Sequence, residues 1–212
     1  VSDTLPENLE PALRDALLGR GYTSLTPVQQ AVLEADTDGR DLRITSQTGS
    51  GKTIAIGLAV RALVAKRTEK PVSRAGRPHA LVIVPTRELG RQVEEELGWL
   101  FAPLGARVVA LTGGASYRDE HRALAAQPAL VVGTPGRLLD HLENGSLDAS
   151  ALGAVAIDEA DRMLDMGFAE TLEAILAKVP ETRRMHLVSA TFPPEVKHLA
   201  DRAQQDPLHI EG

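Results

Sequence analysis

Leu42-Arg43-Ile44-Thr45-Ser46-Gln47-Thr48-Gly49-Ser50-Gly51-Lys52-Thr53 is the stretch on which the fold turns. Its first four residues form a short apolar run of strand type. The next eight form a loop in which glycine lets the backbone bend tightly enough for its N–H groups to surround phosphates. An amphipathic segment over 54–66 follows, so the order is strand, phosphate-cradling loop, helix. Lys52 stands where an ammonium reaches β and γ phosphates, and Thr53 where a hydroxyl holds Mg²⁺. The general pattern places glycine at the first loop position, where this chain has Ser46.

Working outward, further apolar runs occur at 80–84, 108–112, 130–132, 155–157 and 187–188. Between them lie helix-like segments at 89–100, 117–126, 137–144, 168–179 and 194–203. A helix pair at about 9–18 and 27–35 precedes the first strand, and 206–210 is a possible last strand. Such alternation predicts an α/β fold of three layers, with a mostly parallel sheet and helices on both faces. The expected organisation is a single domain over 1–212, with N-terminal helices in 1–36 and the sheet core in 42–212. In open α/β sheets ligands bind outside the carboxyl ends of the strands. The unusual segments that follow the six runs should therefore share one edge.

Composition agrees. The chain has 212 residues, 43% of them hydrophobic, with only six aromatics and no cysteine. That excludes a disulfide framework, thiolate metal sites and a cysteine nucleophile. The core must be built from Ala, Val, Leu and Ile, which suits strands buried on both faces. The six histidines show no metal-ligand spacing, so no zinc site is expected. A net charge of −6 argues against coating nucleic acid by bulk electrostatics, though local backbone donors can still bind phosphate. No apolar run is long enough to span a bilayer, and the polar start is unlike a signal peptide, so a cytoplasmic protein is expected. The basic segment 66–78, with Lys66, Arg67, Lys70, Arg74 and Arg77 against Glu69, should be an exposed loop.

Asp158-Glu159-Ala160-Asp161 follows the run that ends at Ile157. A carboxylate there, Asp158, is placed to hold Mg²⁺, and Glu159 to orient an attacking water. Taken alone, the tetrad also fits an acidic helix start favoured by the dipole. The phosphate loop upstream in the same sheet decides for the metal. Thr134-Pro135 reads as an N-cap with proline at the first helical position, either an ordinary capped helix or one that offers free N–H groups to an anion.

The Asp-Glu-Ala-Asp tetrad resembles the motif that names the DEAD-box family of ATP-dependent RNA helicases. The chain looks like that family's first RecA-like domain over essentially its whole length. The matching pieces run in family order: Gly21-Tyr22-Thr23-Ser24-Leu25-Thr26-Pro27-Val28-Gln29, the Gly51-Lys52-Thr53 loop, Pro85-Thr86-Arg87-Glu88-Leu89, Gly113-Gly114, Thr134-Pro135-Gly136-Arg137, the tetrad and Ser189-Ala190-Thr191.

The resemblance implies that Gln29 reads the adenine edge, with Tyr22 and Thr26 shaping the pocket. An amide offers the donor and acceptor that adenine requires. Thr48, Gly49, Ser50 and Gly51 join Lys52 and Thr53 around the nucleotide. Thr86, Arg87, Gly113, Gly114, Thr134, Gly136 and Arg137 match positions that hold the RNA sugar-phosphate backbone, which positions RNA without reading its sequence. Ser189 and Thr191 match the element that couples the two ligands, where hydroxyls can bond Asp161. Without the family context, ordinary turn chemistry explains that Ser-Ala-Thr as well. The family's upstream stacking aromatic has no counterpart: none occurs before Tyr22, and Thr4 stands about where it belongs, which implies weaker base binding.

Nothing after Thr191 resembles the motifs of the family's second domain, and the remaining residues are too few for one. The expected function is therefore the ATP-binding domain of an RNA helicase, monomeric and nearly inactive until joined to a second RecA-like domain. Two alternatives are an ATP-gated RNA clamp or scaffold, which would keep its function after Glu159→Gln, and a DNA-directed P-loop ATPase, which would not prefer RNA. Met163, Met166, Trp99 and Phe101 are expected in the core.

Overall fold

The computed structural model describes residues 4–35, 39–47, 49–66 and 75–212. Two helices, α1 (Pro11–Gly19) and α2 (Pro27–Ala35), lead into β1 (Leu42–Thr45) and α3 (Lys52–Val64). Then come β2 (Ala80–Ile83), α4 (Arg87–Phe101), β3 (Val108–Leu111), α5 (Tyr117–Ala125), β4 (Leu130–Gly133) and α6 (Pro135–Glu143). The chain closes with β5 (Ala154–Ile157), α7 (Ala160–Asp165), α8 (Ala169–Leu176), β6 (Arg184–Ser189), α9 (Pro194–Ala203) and β7 (Leu208–Glu211). The seven strands form one sheet in the order β3-β4-β2-β5-β6-β1-β7, and every pairing is parallel.

Burial follows position in the sheet. The inner strands β2, β4 and β5 are buried at every residue, whereas edge strand β3 alternates and edge strand β7 buries only Ile210. One core lies between the sheet and α1 to α4, and gathers Leu13, Leu17, Val32, Ile56 and Val93. The other, with Leu124, Leu138, Met163, Leu172 and Val196, lies under α5 to α9. The three-layer α/β expectation is met. Because all strands are parallel, their carboxyl ends and the loops that follow lie along a single edge.

Three details differ from the sequence expectation. The tetrad opens a separate short helix, α7, which ends before Gly167 turns the chain at φ 85°. Met166 is consequently 49% exposed, while Met163 is core as expected. Strand β6 begins at Arg184, earlier than its apolar centre shows, because Met185 and His186 are buried. Phe101 is core and Trp99 packs against it from the rim. Most of the basic 66–78 segment, 67–74, lies outside the described residues. At its end, Arg77 donates to Ser150 Oγ (3.1 Å) and pairs with Asp148 (3.7 Å).

Candidate functional site

The strand order divides the carboxyl edge. The loops after β1, β5 and β6 occupy one half, and those after β2, β4 and β3 the other.

In the first half, the loop after β1 leads into α3 through Gly49 and Gly51, with φ of 85° and 83°. Gly51 is obligatory twice over. Its φ is left-handed, and a Cβ there would lie 2.3 Å from Gln29 Nε2. Gln29 is completely buried at the start of α2 and donates through Nε2 to Gly51 O (3.1 Å). Its Oε1 accepts from Thr26 N–H (3.0 Å), and Thr26 Oγ1 donates to Ser50 O (3.1 Å). Gln29 and Thr26 thus grip the loop itself, and one amide N–H and one lone pair of Gln29 remain for a base. Tyr22 packs on Trp99, with ring centroids 6.0 Å apart, and Arg20 covers the same indole at 5.2 Å. Thr48 lies outside the described residues.

Lys52 is buried in the first turn of α3, and its Nζ has no hydrogen-bond partner among the described residues. The Thr53 hydroxyl is engaged from the α4 side. Burial pushes the Glu96 carboxyl up, and a hydrogen bond with Thr53 opposes that shift.

Asp158 directly follows β5 and is almost fully buried. Burial pushes its carboxyl up to about 6, Lys52 opposes the shift and neighbouring Glu159 adds to it. Glu159 caps α7 in the left-handed region (φ 52°, ψ 51°), an uncommon place for a residue with a Cβ. Its side chain is paired with Arg162 at 3.1 Å. Strain of this kind persists only where surroundings over-determine it, and it collects at functional sites.

Asp161 joins the β5 and β6 loops. Its N–H donates to Ser189 Oγ (3.1 Å), and its Oδ2 accepts from Thr191 Oγ1 (2.8 Å) and Thr191 N–H (3.0 Å). Burial works to raise this carboxyl, but the hydrogen bonds from Thr191, Arg162 and Ser189 hold it below the usual range.

The second half is organised differently. Thr86 caps α4, its hydroxyl accepting from Leu89 N–H at 3.2 Å. Arg87 follows, with its guanidinium beside the Gly113-Gly114 turn. Both glycines are left-handed, at φ 73° and 88°. Thr134 holds an extended N-cap conformation before Pro135, without a side-chain cap bond. At Gly136 a Cβ would meet open space, so the start of α6 is uncovered there.

Arg137 turns inward. Its Nε donates to Glu120 Oε2 (2.6 Å), its Nη2 donates to Ala115 O (3.2 Å), and its guanidinium lies 3.5 Å from the centroid of the Tyr117 ring. Glu120 and His141, the latter 2.7 Å from Glu120 Oε2, are buried organisers that sequence reasoning missed. A signal existed: Glu120 lies four residues before Leu124 and His141 three after Leu138, so both sit on the apolar stripe of their helices.

The residues fit a nucleotide with a divalent ion. A buried ammonium that makes no hydrogen bond among the described residues, beside a buried carboxylate and a loop of left-handed glycines, suits phosphate oxygens and a hard cation. No helix among the described residues is long and apolar enough to cross a membrane.

Comparison with known proteins agrees with this geometry. The family model described as DEAD/DEAH box helicase matches residues 26–199. The chain is 40% identical over 205 residues to the ATP-dependent RNA helicase DbpA of Escherichia coli, covering 96% of the chain and 43% of that protein. It is 42% identical to the ATP-dependent RNA helicase DeaD of Klebsiella pneumoniae, covering 95% of the chain and 30% of that protein. It therefore spans less than half the length of these relatives. Among solved structures, a DEAD box protein from the hyperthermophile Methanococcus jannaschii superimposes with a TM-score of 0.86 at 32% identity, covering 96% of this chain and 54% of that one. A hypothetical ATP-dependent RNA helicase from Sulfolobus tokodaii gives 0.84 at 30% identity, covering 96% and 57%. With most of its length matched by the family model and its motifs on one edge of a parallel sheet, the chain belongs to the DEAD/DEAH box helicase family.

Proposed function

We propose that the chain is the ATP-binding RecA-like domain of an ATP-dependent RNA helicase, with nucleotide on the β5-β6-β1 half of the edge and RNA backbone on the β2-β4-β3 half. The observation that carries this is the buried Lys52 ammonium, which lies near Asp158 and has no hydrogen-bond partner among the described residues. Lys52 and the N–H groups of the 46–51 loop hold the phosphates. Thr53 and Asp158 would hold Mg²⁺, which would supply positive charge against the phosphates. Glu159 orients the attacking water, and Gln29 and Thr26, with Tyr22 behind them, set the base end. Thr86, Arg87, Gly113, Gly114, Thr134, Gly136 and Arg137 form the RNA side, which holds the sugar-phosphate chain.

Asp161 ties together two loops of the nucleotide half. Its backbone and carboxylate engage Ser189 and Thr191, so displacement of the β5 loop by ligand is transmitted to the β6 loop. Joined to a second RecA-like domain, the two ligands would each favour the closed arrangement and so reinforce one another. Local duplex separation follows from that closure, and the isolated domain hydrolyses ATP very slowly.

Calorimetric titration with Mg·ADP and, separately, Mg·GDP tests the nucleotide half. Selective ADP binding that Lys52→Ala abolishes is the expected result. Equal binding of the two nucleotides would remove Gln29 from base recognition, and failure of both to bind would overturn the assignment.

A further inference from the structure

We infer that Glu120, on α5, is the positioning residue of the RNA side: its buried carboxylate fixes the Gly113-Gly114 turn against the start of α6, and Arg137 serves as a strut in that assembly. This rests on the assignment of those loops to RNA made above.

Three nitrogen atoms converge on Glu120. Oε2 takes Arg137 Nε at 2.6 Å and His141 Nε2 at 2.7 Å, and Oε1 takes Gly113 N–H at 3.4 Å. Arg137 then donates Nη2 to Ala115 O at 3.2 Å. The turn 113–115 is therefore gripped at both ends, by Glu120 at Gly113 and by Arg137 at Ala115. The grip is braced from behind. His141 pairs through Nδ1 with Ser146 Oγ (2.6 Å), and Tyr117, stacked on Arg137, donates its hydroxyl to Asp140 Oδ2 (2.6 Å).

A pair of left-handed glycines has the greatest conformational freedom a turn can have, and that freedom is lost when a ligand orders it. A sugar-phosphate chain read by backbone groups needs the turn held to within about 0.5 Å. Glu120 supplies that constraint before RNA arrives. Arg137, with only 15% of its side chain exposed and its guanidinium engaged on an edge and a face, acts from inside the protein. Arg87 and Arg91, beside the same turn, are the cations placed there for phosphate.

Glutamine suits position 120 less well, because it removes the charge and its amide nitrogen would face the donor of either Arg137 or Gly113. Lysine at 137 keeps the charge but loses the fork and the stack.

The test is a fluorescence-anisotropy titration of single-stranded oligouridylate at low salt with the wild-type chain, Glu120→Gln and Arg137→Lys, alongside Mg·ADP calorimetry and thermal melting. The expected result is RNA binding weakened about tenfold in both variants, with Mg·ADP affinity within about twofold of wild type. A cooperatively melting Glu120→Gln chain with wild-type RNA affinity overturns the proposal. So does Arg137→Lys with wild-type affinity, which decides the matter if Glu120→Gln fails to fold. Wild-type chain that binds no RNA while binding Mg·ADP overturns the RNA assignment itself and the proposal with it.

Discussion

Lys52 and Glu120 are both buried charged groups at the carboxyl edge of one sheet, yet Lys52 has no hydrogen-bond partner among the described residues and Glu120 has three. On the nucleotide half, charge is buried and left to be completed by something else. His186, fully buried on β6, has no hydrogen-bond partner at either ring nitrogen among the described residues. On the RNA half, buried charge is completed within the protein and the surface above it is fixed. A buried charge short of hydrogen bonds gains stability from a ligand that supplies them, whereas one whose hydrogen bonds are all made holds geometry. On the proposed assignment, the β5-β6-β1 half gains stability from its nucleotide, and the β2-β4-β3 half receives RNA without rearranging.

The sharpest way to break this contrast is Glu120→Ala. It leaves Arg137 and His141 buried without their anion, and removing one partner of such a pair costs about 3–5 kcal/mol. Urea denaturation of the ligand-free chain should show a loss of that size. A loss below about 1 kcal/mol would mean that the RNA half is not held together as described.

Lys52→Ala should behave in the opposite way. Phosphate loses a charge-assisted contact, so Mg·ADP affinity should fall about a hundredfold. The ligand-free chain, having lost an unpartnered group, should shift by only about 1 kcal/mol. A large stability loss in this variant would erase the distinction between the halves.

Much of this edge was legible in sequence. The glycine-lysine-threonine loop, the tetrad and the Ser-Ala-Thr segment each follow an apolar run, and parallel strands bring all such segments to one edge. The grip of Gln29 on Gly51 was not legible, because it depends on how α2 sits over the loop and on a 2.3 Å approach that no local pattern encodes. Glu120 and His141 come from helices after different strands, and only their stripe positions hinted at a meeting. Met166 was misplaced because α7 stops one turn after the tetrad. The start of β6 was hidden by Arg184 and His186, polar residues in a strand whose pattern is otherwise apolar.

His186 sharpens the comparison through pH. Burial pushes its imidazole down to about 3, with Arg184 adding to the shift, whereas an unfolded chain protonates it near its ordinary 6.5. A group whose folded value is depressed contributes stability that is present above the unfolded value and lost as pH falls toward the folded one. The loss is about 1.4 kcal/mol per pH unit below 6.5, or about 2 kcal/mol by pH 5. Asp158, raised by burial, works in the opposite sense, so the informative quantity is the difference between His186→Leu and wild type. That difference should grow in favour of the variant as pH falls from 6.5 to 5 in denaturation measured without nucleotide. A constant difference would show that His186 does not titrate in the unfolded chain alone.

The smallest effect belongs to Thr86, where the RNA half uses one side chain for its own helix. The hydroxyl caps α4 through Leu89 N–H, and losing an N-cap costs about 1 kcal/mol. Thr86→Ala should lower stability by that amount, and Thr86→Ser, which keeps the hydroxyl, should restore most of it. The comparison gains from what happens to RNA. If the RNA half works by prior fixation, Thr86→Ser should bind oligouridylate like wild type, since cap and helix start are preserved. If Thr86→Ser keeps stability but loses RNA affinity, the threonine methyl itself meets the ligand, and the first turn of α4 is a contact surface beyond its role as a fixed support.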